Sequence, residues 1–333
     1  MRRSILFGAL VWALAPCFLQ GAETSPTPAG KKPGPATVSE SPPSERSEKT
    51  AEYMRVTRDK KGTATGLETA IVRFVPRDCG RTSPAVDLVA AVHIGDKAYY
   101  DRINSEFDKY DVVLYELVAP PGTRVPEGGG GSRSANPIGM TQGALKDLLA
   151  LEFQLEKVRY NRPNLVHADM SPEQLAETMK KRGESIMGMV ARAMGYSIAR
   201  QKADGGVSDQ FQMLSALFSQ NRPLALKRIM AQQMEDMGDL GAAFGGPQGS
   251  TLIEERNKVA LEGLRKQLQA GKKKIAIFYG GGHMPDFDKR LRADFDLVPV
   301  ETRWLLAWNM AEPTAKQSGR RLKDYLKKPA EKE

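Results

Sequence analysis

The sequence predicts an α/β fold: a central mixed, partly parallel sheet flanked by helices and carrying a helical insertion. Three observations predict it. Short apolar runs of strand length alternate with longer stretches of helical periodicity, the pattern of a layered α/β domain. Two of these runs, Val86–Val92 and Asp111–Leu117, flank a helix-length segment, which is the spacing of a β-α-β unit. Each of the three histidines, His93, His167 and His283, ends such a run and opens a loop or helix. In an open α/β sheet that junction is the carboxyl end of a strand, where ligands and catalytic groups collect.

The chain has 333 residues, 41% of them hydrophobic, enough for one large domain with appendages. Residues 1–22 read as an export signal: Arg2 and Arg3, the apolar run Ile5–Ala15, then Gly21 and Ala22 near a cleavage point. The run is short for a membrane span, so the expected location is periplasmic or extracellular. Pro16 precedes Cys17 where lipidation calls for a small residue, which argues against a lipoprotein. Without the signal only Cys79 remains, among turn-formers, so no internal disulfide is expected and a surface-loop thiol is. Residues 23–50, rich in Pro, Ser, Thr, Lys and Glu, form a tether.

The α/β domain is expected over 53–308, with a first strand at Glu68–Val75. The buried strand Val86–Val92 ends at His93, a helix follows over Lys97–Lys109, and Asp111–Leu117 is the next buried strand. These two strands should be parallel and joined by a right-handed crossover. Glu127–Asn136 is a glycine-rich surface loop, and Gln142–Glu156 is helical. Asn164–Met170 is a short strand running into a helix capped by Ser171, with Pro172 at its first position. Residues 172–240 are a Met- and Gln-rich helical insertion over one end of the sheet, its methionines serving as adaptable packing. Gly241–Gly249 breaks it from a helix over Thr251–Ala270; the strand Lys274–Tyr279 then ends in Gly280-Gly281-Gly282-His283. Leu297–Val300 is a final strand, placed at an edge by Pro299.

The formal charge of +9 is local. Residues 313–333 hold seven basic and three acidic side chains, and the signal takes Arg2 and Arg3, which leaves about +3 on the rest. The basic tail, 309–333, is a solvated appendage that can also contact an acidic membrane surface peripherally. No motif supports nucleic-acid binding.

His93 and Glu116 lie 23 residues apart at the ends of consecutive strands, which should bring them side by side, with His283 on a third strand end. Two imidazoles and a carboxylate form a ligand set for a divalent metal that keeps a position open for water. Without metal, the same set can work as a general acid and base, a carboxylate orienting an imidazole. The glycines before His283 allow a sharp turn whose amides can meet an oxyanion or substrate. Arg256-Asn257 opens the helix before the third strand and can aim a guanidinium and an amide at a substrate carboxylate or carbonyl; a surface ion pair fits the composition equally well.

The ordered set of x-x-His, Glu-Leu, Ala-Asp-Met-Ser, Glu-Arg-Asn and Gly-Gly-Gly-His-Met-Pro over residues 65–305 resembles the TraB/PrgY/GumN family. That family also contains the Tiki-type metalloproteases and is related to the erythromycin-esterase and ChaN-like folds. The resemblance implies an α/β core and a metal-dependent hydrolase, peptidase-like, acting on a peptide or protein. His93, Glu116 and His283 would be catalytic and hold a divalent metal (Mn, Co or Zn). Arg256, Asn257, Gly281 and Gly282 would bind substrate. As the alternative it implies a non-catalytic peptide-binding protein, as in pheromone-shutdown members, and as a third reading haem or iron capture by analogy with ChaN-like proteins. Two positions depart from the pattern: Ala90 stands where the family has Gly, and Val118 where it has an acid. His167 with Asp169 is an accessory pair able to compensate for that acid.

Overall fold

The computed structural model describes residues 52–78, 83–126, 149, 151–185, 187–189, 215–216, 218–219, 221–236 and 249–312. The signal, the tether, Cys79, the loop 127–136, much of the insertion, most of Gly241–Gly249 and the tail beyond residue 312 lie outside the described residues.

Seven strands make one mixed sheet: β1 (Met54–Arg58), β2 (Ala64–Pro76), β3 (Ala85–Ala91), β5 (Val112–Tyr115), β7 (Leu165–His167), β8 (Lys274–Gly280) and β9 (Leu297–Asn309). β9 lies against one side of β2. The other side of β2 takes β1 along its first half and β3 along its second, all antiparallel. From β3 the sheet continues through β8, β5 and β7, all parallel. The two-residue strands β4 (Ile94–Gly95) and β6 (Glu152–Phe153) pair in a ribbon of their own.

The expected β-α-β unit is present as β3, α1 (Lys97–Phe107) and β5, but its strands are not neighbours. β8, more than 150 residues later in the chain, lies between them. Its sequence suits a central position, being apolar on both pleat faces, as a strand covered by helices on both sides must be. Ala276 and Phe278 face one layer with Tyr99, Tyr100, Ile103 and Phe107 of α1. Ile275, Ile277 and Tyr279 face the other, with Ala260, Leu261 and Leu264 of α5 (Arg256–Gln269) and Phe287 and Leu291 of α6 (Met284–Phe295).

Several boundaries differ from the expected ones. β1 precedes the expected first strand and adds an antiparallel partner to β2. β9 runs for 13 residues rather than four, because two register shifts against β2 keep it paired where strict alternation fails. Pro299 does lie on an edge strand, beside a shift that leaves Val300 exposed. The helix expected through Glu156 gives way to β6 and the short α2 (Gln154–Lys157), since Glu152 and Phe153 bond the backbone just after His93. The Ser171 cap forms, completed by Gln174: Ser171 Oγ accepts the Gln174 N–H and Gln174 Oε1 the Ser171 N–H, opening α3 (Pro172–Lys181). Within the insertion, α4 (Arg222–Asp236) is described, and Met179, Met189 and Met230 are buried as packing. Thr251–Glu255 forms a single wide π turn before α5, a distortion often found beside functional sites. Among the described residues no helix is long and apolar enough to cross a membrane.

Candidate functional site

The sheet order decides what meets. His93 follows β3, Glu116 follows β5, Asp169 follows β7, and β8 between them ends at Gly280 and a single 3-10 turn, Gly281–His283. The first turn of α5 brings in Arg256 and Asn257. Gly280 is the hub. A Cβ built on it would stand 3.4 Å from Glu116 Oε2, 3.7 Å from His93 Nε2 and 3.9 Å from His283 Cδ2. Its backbone angles, φ −53° and ψ 143°, are open to any residue, so the glycine is needed here for space and not for conformation.

Arg256 is 1% exposed and its guanidinium is committed to two carboxylates. Nε donates to Asp169 Oδ1 at 2.9 Å, Nη2 to Asp169 Oδ2 at 2.5 Å and to Glu116 Oε1 at 2.8 Å. Glu116 Oε2 accepts the Gly280 N–H at 2.7 Å. Burial pushes the Glu116 carboxyl up, but the charge of Arg256 together with His283 and His93 outweighs it and holds the group well below the usual carboxylate range. Burial works equally against the Arg256 cation, and Asp169 and Glu116 overcome it.

His283 is fixed by Asn257. The Asn257 Nδ2 donates to the His283 carbonyl at 3.1 Å and to Asp286 Oδ2 at 2.9 Å, so its Oδ1 must face the ring. That oxygen lies 2.7 Å from His283 Nδ1 and accepts its N–H. The other ring nitrogen, Nε2, stands 3.5 Å from both Glu116 Oε1 and Arg256 Nη1. Tyr279 packs edge-on against it, the ring centroids 5.1 Å apart.

His93 differs from the other two. Its Nε2 faces Gly280 and has no hydrogen-bond partner of good geometry among the described residues, and part of the residue reaches the surface. Enclosure of the ring lowers its pKa below the ordinary imidazole value; Glu116 opposes this, while Arg256 and His283 reinforce it.

The three residues expected to ligate a metal thus come together, but not as a metal centre. No group of three or more His, Cys, Asp or Glu among the described residues is placed to hold a metal ion. The reason lies in Arg256: its positive guanidinium stands 2.8 Å from Glu116 and 3.5 Å from His283 Nε2, where a cation shared by those two groups would have to lie. The side chains present do not fit a divalent metal, and the chemistry derived below uses none.

Arg256 and Asn257 belong to the site, yet both are buried and spent on protein partners, Asn257 as the brace of His283 rather than as a substrate contact. Gly281 is a close-packing glycine, since its Cβ would meet Met54 Sδ at 2.7 Å; Gly282 follows it in the turn. Asp169 is a principal member of the ion triad rather than an accessory. His167 stands apart, its Nε2 donating to the Leu117 carbonyl at 2.5 Å and its ring packed by Tyr115. Val118 packs beside Met170, Leu175 and Met179, an apolar setting in which an acid would be stranded; Asp169 supplies the second carboxylate instead. Ala90 has a negative φ, so replacing glycine there brings no strain. Sequence reasoning missed Gln154, whose backbone N–H donates to the His93 carbonyl at 2.9 Å, because nothing in its neighbourhood announces a break in the helix. Comparison with protein families, with curated proteins and with solved structures finds no match.

Proposed function

We propose that the chain is an exported hydrolase that cleaves a peptide bond by general acid–base chemistry at His93 and Glu116, without a metal. The observation that carries the reading is the shared space at Gly280, onto which His93 Nε2 and Glu116 Oε2 both face. A water placed there donates one hydrogen to each acceptor and keeps a lone pair for a carbonyl carbon. As the new C–O bond forms, the water proton passes to His93 Nε2, and ionised Glu116 stabilises the imidazolium. Collapse of the tetrahedral adduct breaks the C–N bond, and the same Nε2 returns the proton to the leaving amine. His283, braced by Asn257, holds the far side of Glu116 and Arg256. The peptide specificity and the export rest on the family resemblance and on residues 1–22.

A peptide library incubated with the mature protein, with and without chelator, tests this. We expect cleavage that chelator leaves unchanged and that His93→Ala reduces by about 10²–10⁴-fold, with an unaltered melting curve. The acid limb of kcat/KM should fall below the ordinary imidazole value of 6.5, because the base must be neutral and its pKa is lowered. In Glu116→Gln the limb should move lower still, since Glu116 is the group that favours the protonated ring. Chelator-sensitive cleavage restored by Mn, Co or Zn would overturn the metal-free assignment. Tight peptide binding without turnover would replace hydrolysis by capture.

A further inference from the structure

We propose that Gln154 is the positioning residue of His93: its carboxamide oxygen takes the imidazole Nδ1–H and locks the tautomer whose Nε2 lone pair faces Glu116 and Gly280. The inference rests on the acid–base reading above and adds to it the device that makes His93 a base on the correct nitrogen.

The backbone around His93 is pinned on both sides. Tyr100 Oη donates to the Val92 carbonyl at 3.0 Å, Trp308 Nε1 to the Ile94 carbonyl at 2.8 Å, and the Gln154 N–H to the His93 carbonyl at 2.9 Å. The β4–β6 ribbon, pairing Ile94 with Phe153 and Gly95 with Glu152, carries Gln154 to His93 as its next residue. Gln154 is 5% exposed, and its Nε2 donates to Tyr160 Oη at 2.9 Å, which orients the amide. Its Oε1 is buried and has no partner of good geometry among the described residues, a state that buried carbonyl oxygens seldom keep. The Gln154 side chain also favours the protonated imidazole, the direction in which an acceptor beside a ring N–H acts.

Of the two ring nitrogens, Nε2 is the one turned to Gly280, 3.7 Å from where its Cβ would stand. Nδ1 is therefore left for Gln154. The other imidazole of the site shows the same device fully formed, with Asn257 Oδ1 on His283 Nδ1 at 2.7 Å. Two carboxamides, one from α2 and one from α5, would then each hold one ring by Nδ1.

Because the chain has three histidines, labelling with ¹⁵N-histidine gives three rings to resolve, assigned by substituting each in turn. Two-bond ¹H–¹⁵N spectra at neutral pH should show His93 as the Nδ1–H tautomer, with a pyridine-like Nε2. Gln154→Leu should convert His93 to a mixture of tautomers while the His283 and His167 signals stay in place and so report an intact fold. Gln154→Glu, which keeps an acceptor, should restore the Nδ1–H form. On a cleaved peptide, Gln154→Leu should lower kcat by about 10–100-fold with little change in KM. An Nε2–H tautomer in the unaltered protein, or a His93 tautomer indifferent to Gln154→Leu, overturns the proposal. The expected tautomers without any peptide cleaved would leave Gln154 in its role and sink the hydrolase reading instead.

Discussion

Replacing Arg256 by alanine should lower the melting temperature by roughly 10 °C, corresponding to a loss of about 3–5 kcal/mol. The substitution leaves Glu116 and Asp169 facing each other in the interior with no cation between them, and an abandoned buried charge costs more than the intact pair contributed. The loss should depend on pH with a definite sign. In the intact protein Glu116 has a folded pKa well below its ordinary 4.5, so its stabilising contribution is complete above that value and disappears as pH falls through the lowered one. In Arg256→Ala the folded pKa rises, the carboxyl can take a proton, and the gap between variant and parent should narrow as the pH approaches about 4. Arg256→Lys should recover only part of the loss, because an ammonium cannot span both carboxylates with a rigid planar fork. Melting curves between about pH 4 and pH 8 measure all of this. A loss below about 1 kcal/mol would mean that the triad is not the electrostatic keystone of the site.

Gly280→Ala should do the opposite: fold normally and lose activity. At φ −53° an alanine is unstrained, and its methyl would meet Glu116, His93 and His283 at 3.4–3.9 Å, ordinary contact distances. Stability should change by less than about 1 kcal/mol, with a small gain available from the stiffer unfolded chain. The methyl nevertheless fills the space where the attacking water is placed, so cleavage should fall by at least about 10²-fold. Gly281→Ala is the control: it presses on Met54 Sδ from 2.7 Å and should cost stability, about 1 kcal/mol or more, unless the flexible thioether gives way. Full activity in a well-folded Gly280→Ala protein would remove the shared space as the reaction centre.

The parallel strands and their chemistry-bearing ends were legible because each is a local pattern. Val86–Val92, Asp111–Leu117 and Lys274–Tyr279 read as buried strands from composition alone; His93 follows the first directly, Glu116 lies at the end of the second, and His283 comes after the three glycines that close the third. Strand order was not legible, since nothing local tells β5 to leave a gap for β8. That single non-local fact moved Gly280 to the centre of the site. The role of Arg256 was hidden for a related reason. Its opening position on a helix suits substrate binding or a surface ion pair equally well, and only the approach of Asp169 from β7 saturates it. Val118 looked like a lost ligand by position, whereas its neighbours Met170 and Leu175 make it a packing residue. β1 and the far half of β9 were missed because antiparallel edge strands with charged outer faces carry a weak periodicity.

The insertion of β8 between β3 and β5 also sets an order of assembly. Both halves of the site made early in synthesis, the His93 end and the Glu116 end, wait with open strand edges until residues 274–280 arrive to pair with each. A nascent or truncated chain that stops before β8 therefore contains His93, Glu116 and Asp169, three of the four strand-end groups, but no site, and exposes two sticky edges in its place. Such long-range closure is slow. The step that creates the pocket cannot occur until the last fifth of the chain has been made.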